Sequence, residues 1–267
     1  MKIDEFLRLV NYSDQAIEVF YKNAVDEKVY LSKKQQYYSD EEGFLSALKE
    51  EQGENYYKAL LYYFTRFALD LYPTYLQKGF THEEYVATFR DLKTWNEMCI
   101  LESGICGLRE TGWLTSHLHA GIVTFGRLQF QPEILEEDLN ASGLIVPKGT
   151  EILNVHIPFG GALKVDEVNK SYERAKEHFG DRYIHIESWL ADPALKNYLN
   201  KESNILYFVS KYDLYKLEES NSIERFVFKV IKENKEEYVA NTSFAKKIKE
   251  ALLRGEKFYS GFALGKL

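Results

Sequence analysis

The chain has 267 residues, of which 45% are hydrophobic, enough to build a substantial core and too many for a disordered polymer. Its 34 Lys and Arg and 41 Asp and Glu residues are intermixed and sum to a net charge of -7, which excludes the broad basic surface that nucleic acid requires. No stretch of about 18 apolar residues is present to span a bilayer, and the opening MKIDEFLRLV lacks the apolar run and cleavage site of a signal peptide, so a cytoplasmic, membrane-free location is expected.

The first 118 residues carry helical punctuation and no period-two pattern, so residues 1–118 are expected to form an all-helical N-terminal domain. Ser13-Asp14 precedes an amphipathic run, and Ser39 with Glu42 and Thr81 with Glu84 have the spacing of capping boxes, in which two side chains satisfy helix-end amides reciprocally. Residues 56–72 are dense in Leu, Tyr and Phe around the helical turn, which predicts a buried helix ending before Pro73. A further long helix is expected from Thr81 toward Cys106, with Tyr85, Phe89, Leu92, Trp95, Met98 and Cys99 on one stripe and Gly104 and Gly107 positioned to break it. Cys99 and Cys106 would then lie two turns apart as buried free thiols, since a zinc pair wants tighter spacing and more ligands. His117 and His119 likewise have no nearby carboxylate or cysteine to complete a ligand set, and no metal is expected.

The character changes near residue 120. Residues 122–130 and 151–157 read as strands of an antiparallel meander, separated by turn residues Asn140, Gly143, Pro147 and Gly149. An amphipathic helix follows over residues 166–179, with Gly180 as its terminator, and then a strand over 183–189. Asp192 caps a short helix whose first position is Pro193, and residues 204–209 read as a strand. Residues 223–231 fit strand or helix, 241–253 form an amphipathic helix, and 258–264 close the sheet. The fold class is thus α+β, with a mixed-sheet α/β domain over residues 119–267.

The segment from Asn154 to Leu163 runs from an apolar strand through Pro158, Phe159, Gly160 and Gly161 into a helix. Glycines at that junction permit close backbone approach, and a first helical turn offers unpaired amides to an anion. Neither GxGxxG nor GxxxxGK[ST] is present, which argues against a dinucleotide site or a P-loop. The succession of meander, glycine loop, helix and strand resembles the GNAT acyltransferase fold, whose loop pattern Q/R-x-x-G-x-G/A is matched by Gly160 and Ala162, while Ile157 stands at the Gln/Arg position. GRLQFQ (126–131), VHIPFGGAL (155–163), ESWLADP (187–193) and SNILYF (203–208) also resemble a bacterial family of GNAT-like N-acyltransferases that pairs a helical N-terminal domain with a GNAT-like C-terminal domain.

That resemblance implies transfer of an acyl group from acetyl-CoA or another acyl-CoA to a small-molecule amine. It places Pro158, Phe159, Gly160, Gly161, Ala162, Leu163 and Lys164 at the acyl-CoA, with Ser188, Trp189 and Asn204 lining the pocket. His156 suits a general base, Glu187 is the alternative base, and Tyr198 corresponds by position to the tyrosine that protonates the leaving thiolate. Asp166 and Glu167 bring negative charge to the helix start, where Lys164 supplies compensation. Ile157 and those acids favour the alternative reading, a GNAT-derived ligand-binding or interaction protein without chemistry.

Overall fold

Short polar side chains set many of the helix ends, because the first amides of a helix have no partner within it. The computed structural model describes residues 1–267. Its first unit, Met1–Thr124, contains α1 (Ile3–Leu9), α2 (Asp14–Lys22), α3 (Glu27–Ser39), α4 (Glu41–Gln52), α5 (Tyr56–Asp70), α6 (Tyr72–Gln77), α7 (His82–Phe89), α8 (Asp91–Ser103) and α9 (Gly112–Leu118). Ser13 caps α2 by accepting from the Ala16 amide, and the Thr81–Glu84 box forms both of its bonds. The Ser39–Glu42 box does not form. Ser39 instead closes α3, and the Asp40 carboxylate, one residue nearer α4, accepts from the Gly43 amide at 2.9 Å.

The central helix α5 ends at Asp70, before Pro73 as expected, and Pro73 itself enters the first turn of α6, where its missing N–H costs nothing. The long helix expected from Thr81 divides at Arg90. The start of α8 is held there by Asp91, whose carboxylate accepts from Trp113 Nε1 at 3.0 Å and meets His117 Nε2 at 3.1 Å. The helix stops at Gly104, whose φ of 72° is the left-handed C-terminal conformation, so Cys106 lies beyond it; both thiols are nevertheless buried and free. Leu60, Leu61, Phe64 and Phe67 make α5 the buried spine. Tyrosine rings fill the space around it, two of them with buried hydroxyl bonds, Tyr12 with Thr65 and Tyr85 to the Ala68 carbonyl.

The second unit, Phe125–Leu267, holds most of a six-stranded sheet. In chain order the elements are β1 (Val123–Phe125), β2 (Leu128–Ile134), β3 (Leu139–Ala141), β4 (Leu144–Val146), β5 (Glu151–His156), α10 (Val165–Phe179), β6 (Tyr183–Ser188), α11 (Asn204–Val209), β7 (Tyr212–Glu219), α12 (Ser222–Phe228), α13 (Ser243–Leu253) and β8 (Tyr259–Lys266). Strand order is β1-β2-β5-β6-β8-β7, with β5 and β6 parallel inside otherwise antiparallel pairings, so the sheet is mixed as expected. β3 and β4 form a separate hairpin.

Three sequence expectations change here. Residues 122–130 are not one strand, because Gly126 at φ 59° turns the chain between β1 and β2. Residues 204–209 form α11 rather than a strand, because the Ser203 hydroxyl accepts from the Ile205 amide and caps the run as a helix. The ambiguous stretch after Ile223 is also helical, and α12 ends at Lys229 in the left-handed region. A strand that the sequence reading lacked, β7, pairs with β8 along the sheet margin, with an irregular register between Leu214 and Lys216.

One sheet face lies under α10, whose buried Tyr172 sets its ring edge-on to Phe130 and its hydroxyl 2.6 Å from that of Tyr212. The other face is covered near Ile152, Leu264 and Tyr183 by Leu139, Ala141 and Val146 of the β3–β4 hairpin. At the far end of β6 the turn Trp189–Ala191 sits directly on β8. A Cβ on Gly261 would lie 2.7 Å from the Ala191 carbonyl oxygen and 2.9 Å from Leu214 Cδ1. Gly261→Ala is therefore expected to destabilise the protein by about 1–3 kcal/mol, because backbone must shift to admit the methyl group; thermal unfolding of the variant, with a lowered midpoint, checks this.

Candidate active site

The two parallel strands at the centre of the sheet do not stay together. β5 pairs with β6 at Ile152–Tyr183, Leu153–Ile184 and Asn154–His185, and the ladder ends there. β5 continues to His156 against Gln129 of β2, while β6 continues to Ser188 against Gly261 of β8. Each strand thus follows its outer neighbour, and a gap opens between their carboxyl ends, the end at which parallel strands present ligand sites.

Residues 157–164 leave β5 at this gap. Leu163 is buried and anchors the loop, whereas Gly160, Gly161 and Ala162 are exposed, the two glycines at φ 85° and 69°. Every nitrogen of the Arg127 guanidinium meets a loop carbonyl: Nη1 donates to Pro158 at 3.0 Å, Nη2 to Gly161 at 3.1 Å and Nε to Ala162 at 3.2 Å. Burial lowers the Arg127 pKa from its ordinary value, with the Glu167 carboxylate opposing. At the start of α10 the Lys164 side chain caps no amide; its ammonium pairs with Glu167 at 2.9 Å, so one of the two first-turn acids is neutralised locally.

Strand alternation and register put Gln131 and Glu133 of β2, Asn154 and His156 of β5, and His185 and Glu187 of β6 on the sheet face opposite α10. His156 Nε2 lies 2.9 Å from the Gln131 amide oxygen, an acceptor that favours the tautomer with the ring proton on Nε2. The Asn154 amide donates to Glu133 Oε1 at 3.3 Å. Burial raises the Glu133 carboxyl above its ordinary value, and the Glu187 carboxylate adds to the rise. Glu187 is itself raised, by desolvation and then by Glu218, with Lys216 opposing. Tyr215 places its hydroxyl 2.9 Å from His185 Nε2, and burial lowers that imidazole to about 4.

The structure thus gathers His156 and Glu187 on one face beside the glycine loop, whereas Tyr198 contacts Phe258 and Glu256. After the short turn started by Pro193, the Tyr198 ring packs 5.8 Å from Phe258, and its hydroxyl bonds Glu256. Trp189 stacks toward Phe244 of α13, Ser188 caps the turn at Leu190, and Asn204 begins α11. Glu133, His185 and Arg127 went unremarked in the sequence reading. Alternation along β6 would have exposed His185, which shares a face with Glu187; Glu133 and Arg127 are placed by register and by a contact more than 30 residues away.

Residues 1–120 match the model of the N-acyltransferase N-terminal domain, and residues 122–264 match that of the GNAT-like C-terminal domain. The chain belongs to this family of GNAT-like N-acyltransferases, with a helical first domain and a mixed-sheet second domain. Similar solved structures are an acyltransferase in complex with decanoyl-CoA and teicoplanin (TM-score 0.77, 21% identity, covering 99% of this chain and 87% of that one) and an acyltransferase in complex with CoA and 10C-teicoplanin (TM-score 0.78, 21% identity, 99% and 87%). A further one is an acyltransferase in complex with decanoyl-CoA (TM-score 0.71, 20% identity, 100% of both chains). A search of curated proteins gave no match.

The low pKa of His185 has a consequence for stability. An imidazole that titrates near 6.5 when unfolded and near 4 when folded favours the folded state fully above 6.5, and that contribution is lost as pH falls from 6.5 toward 4. The loss is at most about 3 kcal/mol. His185→Gln is expected to flatten this part of the profile; urea unfolding of both proteins at pH 7, 5.5 and 4.5 measures it, and parallel profiles would contradict it.

Proposed function

We propose that the protein transfers an acyl group from an acyl-CoA to the amine of a small-molecule acceptor. The observation that carries this reading is the parting of β5 and β6 beyond Asn154 and His185, beside an exposed glycine loop that leads into an uncapped helix start. A pantetheine arm is an extended chain with amide groups, which suits a gap between two strand edges, and a diphosphate suits the amides of a glycine turn and a first helical turn. The solved acyltransferases of the same fold hold decanoyl-CoA, CoA and, in one, octanoyl-CoA, which supports an acyl-CoA donor and makes medium-chain thioesters the first to test. Two of them also hold teicoplanin or its 10C form, which supports a small-molecule acceptor here.

His156 is the base of the reaction. Its Nδ1 takes a proton from the acceptor nitrogen as that nitrogen bonds the thioester carbon, and the C–S bond then breaks. The Tyr198 hydroxyl is engaged by Glu256, and the proton held by His156 is the one returned to the departing thiolate, so a single imidazole serves both halves of the transfer. Glu187 and Glu133 on the same face favour a cationic amine arriving from solvent, and burial raises both carboxyls above their ordinary values.

Titration calorimetry with acetyl-, octanoyl- and decanoyl-CoA is expected to give saturable binding, and a panel of amines screened by mass spectrometry is expected to yield an amide product. His156→Ala is expected to lower kcat by about 100-fold or more with donor binding intact. Absence of binding at millimolar donor would sink the reading, and binding with no product from any amine would leave the binding-protein alternative.

A further inference from the structure

Ile157 occupies the position at which the GNAT loop pattern carries Gln or Arg, so the loop lacks a polar side chain of its own for a diphosphate. A cation is nevertheless set against the loop, delivered from the turn between β1 and β2. Arg127 spends its three nitrogens on the Pro158, Gly161 and Ala162 carbonyls, one apiece. In a trans peptide the C=O and N–H point in opposite directions, and the chain has no cis bond. Holding the Gly161 and Ala162 carbonyls on the guanidinium therefore turns the Ala162 and Leu163 amides away from it, toward the outer side of the loop.

The arginine is itself fixed from behind. Its own amide donates to Ser171 Oγ at 2.9 Å, and that hydroxyl donates to the Glu167 carbonyl at 2.8 Å, which ties the turn to the first turns of α10. Gly126 permits the approach, since a Cβ there would lie 3.0 Å from Ser171 Oγ in a backbone already at φ 59°. Turn, loop and helix start are thus locked to one another through two side chains, those of Arg127 and Ser171. The demand is for a planar fork: three separate carbonyls are met by three coplanar nitrogens, a geometry a lysine ammonium cannot reproduce.

We propose that Arg127 is the positioning residue of the acyl-CoA diphosphate site, aiming the loop amides outward and supplying from the β1–β2 turn the positive charge that Ile157 does not. The proposal rests on the acyl-CoA reading above, and it assigns Arg127 to the diphosphate end of the donor and not to the reacting thioester.

The test compares two donors that share the reacting end, octanoyl-CoA and octanoyl-pantetheine, the second lacking the diphosphate and nucleotide. For Arg127→Gln, kcat/KM with the CoA thioester is expected to fall about 10- to 100-fold, through KM, while the value with the pantetheine thioester stays as in the unaltered protein. Arg127→Lys, which keeps the charge and loses the fork, is expected to recover only part of the CoA preference, and it stands in if the Gln variant fails to fold. Calorimetry of CoA against pantetheine gives the same comparison without turnover. Equal losses with both donors, or none with either, would overturn the assignment while leaving the acyl-CoA reading in place. An unaltered protein that binds no CoA thioester would remove both.

Discussion

Backbone hydrogen bonding at the centre of the sheet governs what the second unit can do. A parallel pair normally continues as long as both strands do, because leaving edge amides and carbonyls without a ladder is costly. Here β5 and β6 each remain paired on the outside, to β2 and β8, while losing each other after Asn154 and His185. Ligand chemistry then follows from the gap: the loop after β5 lies at its mouth, α10 begins beside it, and the side chains that alternate onto the face away from α10 become reachable.

Those side chains form a graded electrostatic field. His185, at the last paired position, is kept neutral by burial, while burial raises the carboxyls of Glu133 and Glu187 above their ordinary values, with the Glu187 carboxylate adding to the rise at Glu133 and Glu218 to that at Glu187. His156 lies between β2 and the gap with its proton directed to Gln131. The loop side is the opposite in character, with a half-buried guanidinium behind it and Lys164 offsetting Glu167. Donor and acceptor ends of an acyl transfer ask for that polarity, negative where an amine arrives and positive where phosphates rest.

Local chemistry made part of this legible in advance. Thr81 with Glu84, Ser13, Gly180 and Asp192-Pro193 mark their boundaries because each acts within a few residues, and the strand-glycine-helix run from Asn154 follows from the same kind of reasoning. Failures occurred where distant atoms decide. Residues 204–209 are an apolar run that fits either state, and Ser203 tips it to helix. β7 was invisible because only Tyr212 in it is buried, so no alternation marks it. Tyr198 matched a family position in sequence order, yet its ring found the apolar cluster around Leu195 and Phe258. Arg127 reads as an ordinary turn residue until the loop it holds is placed next to it.

The margin formed by β7 shows how the sheet ends. Lys216 pairs with Glu218 and Glu219 with Lys257 along this strand, and its register is broken between Leu214 and Lys216. An incoming strand from another molecule would have to bury those ions and match a kinked row of amides. The irregular, charged rim thereby works as a terminator of strand addition, and it protects a sheet whose interior has already been pried apart.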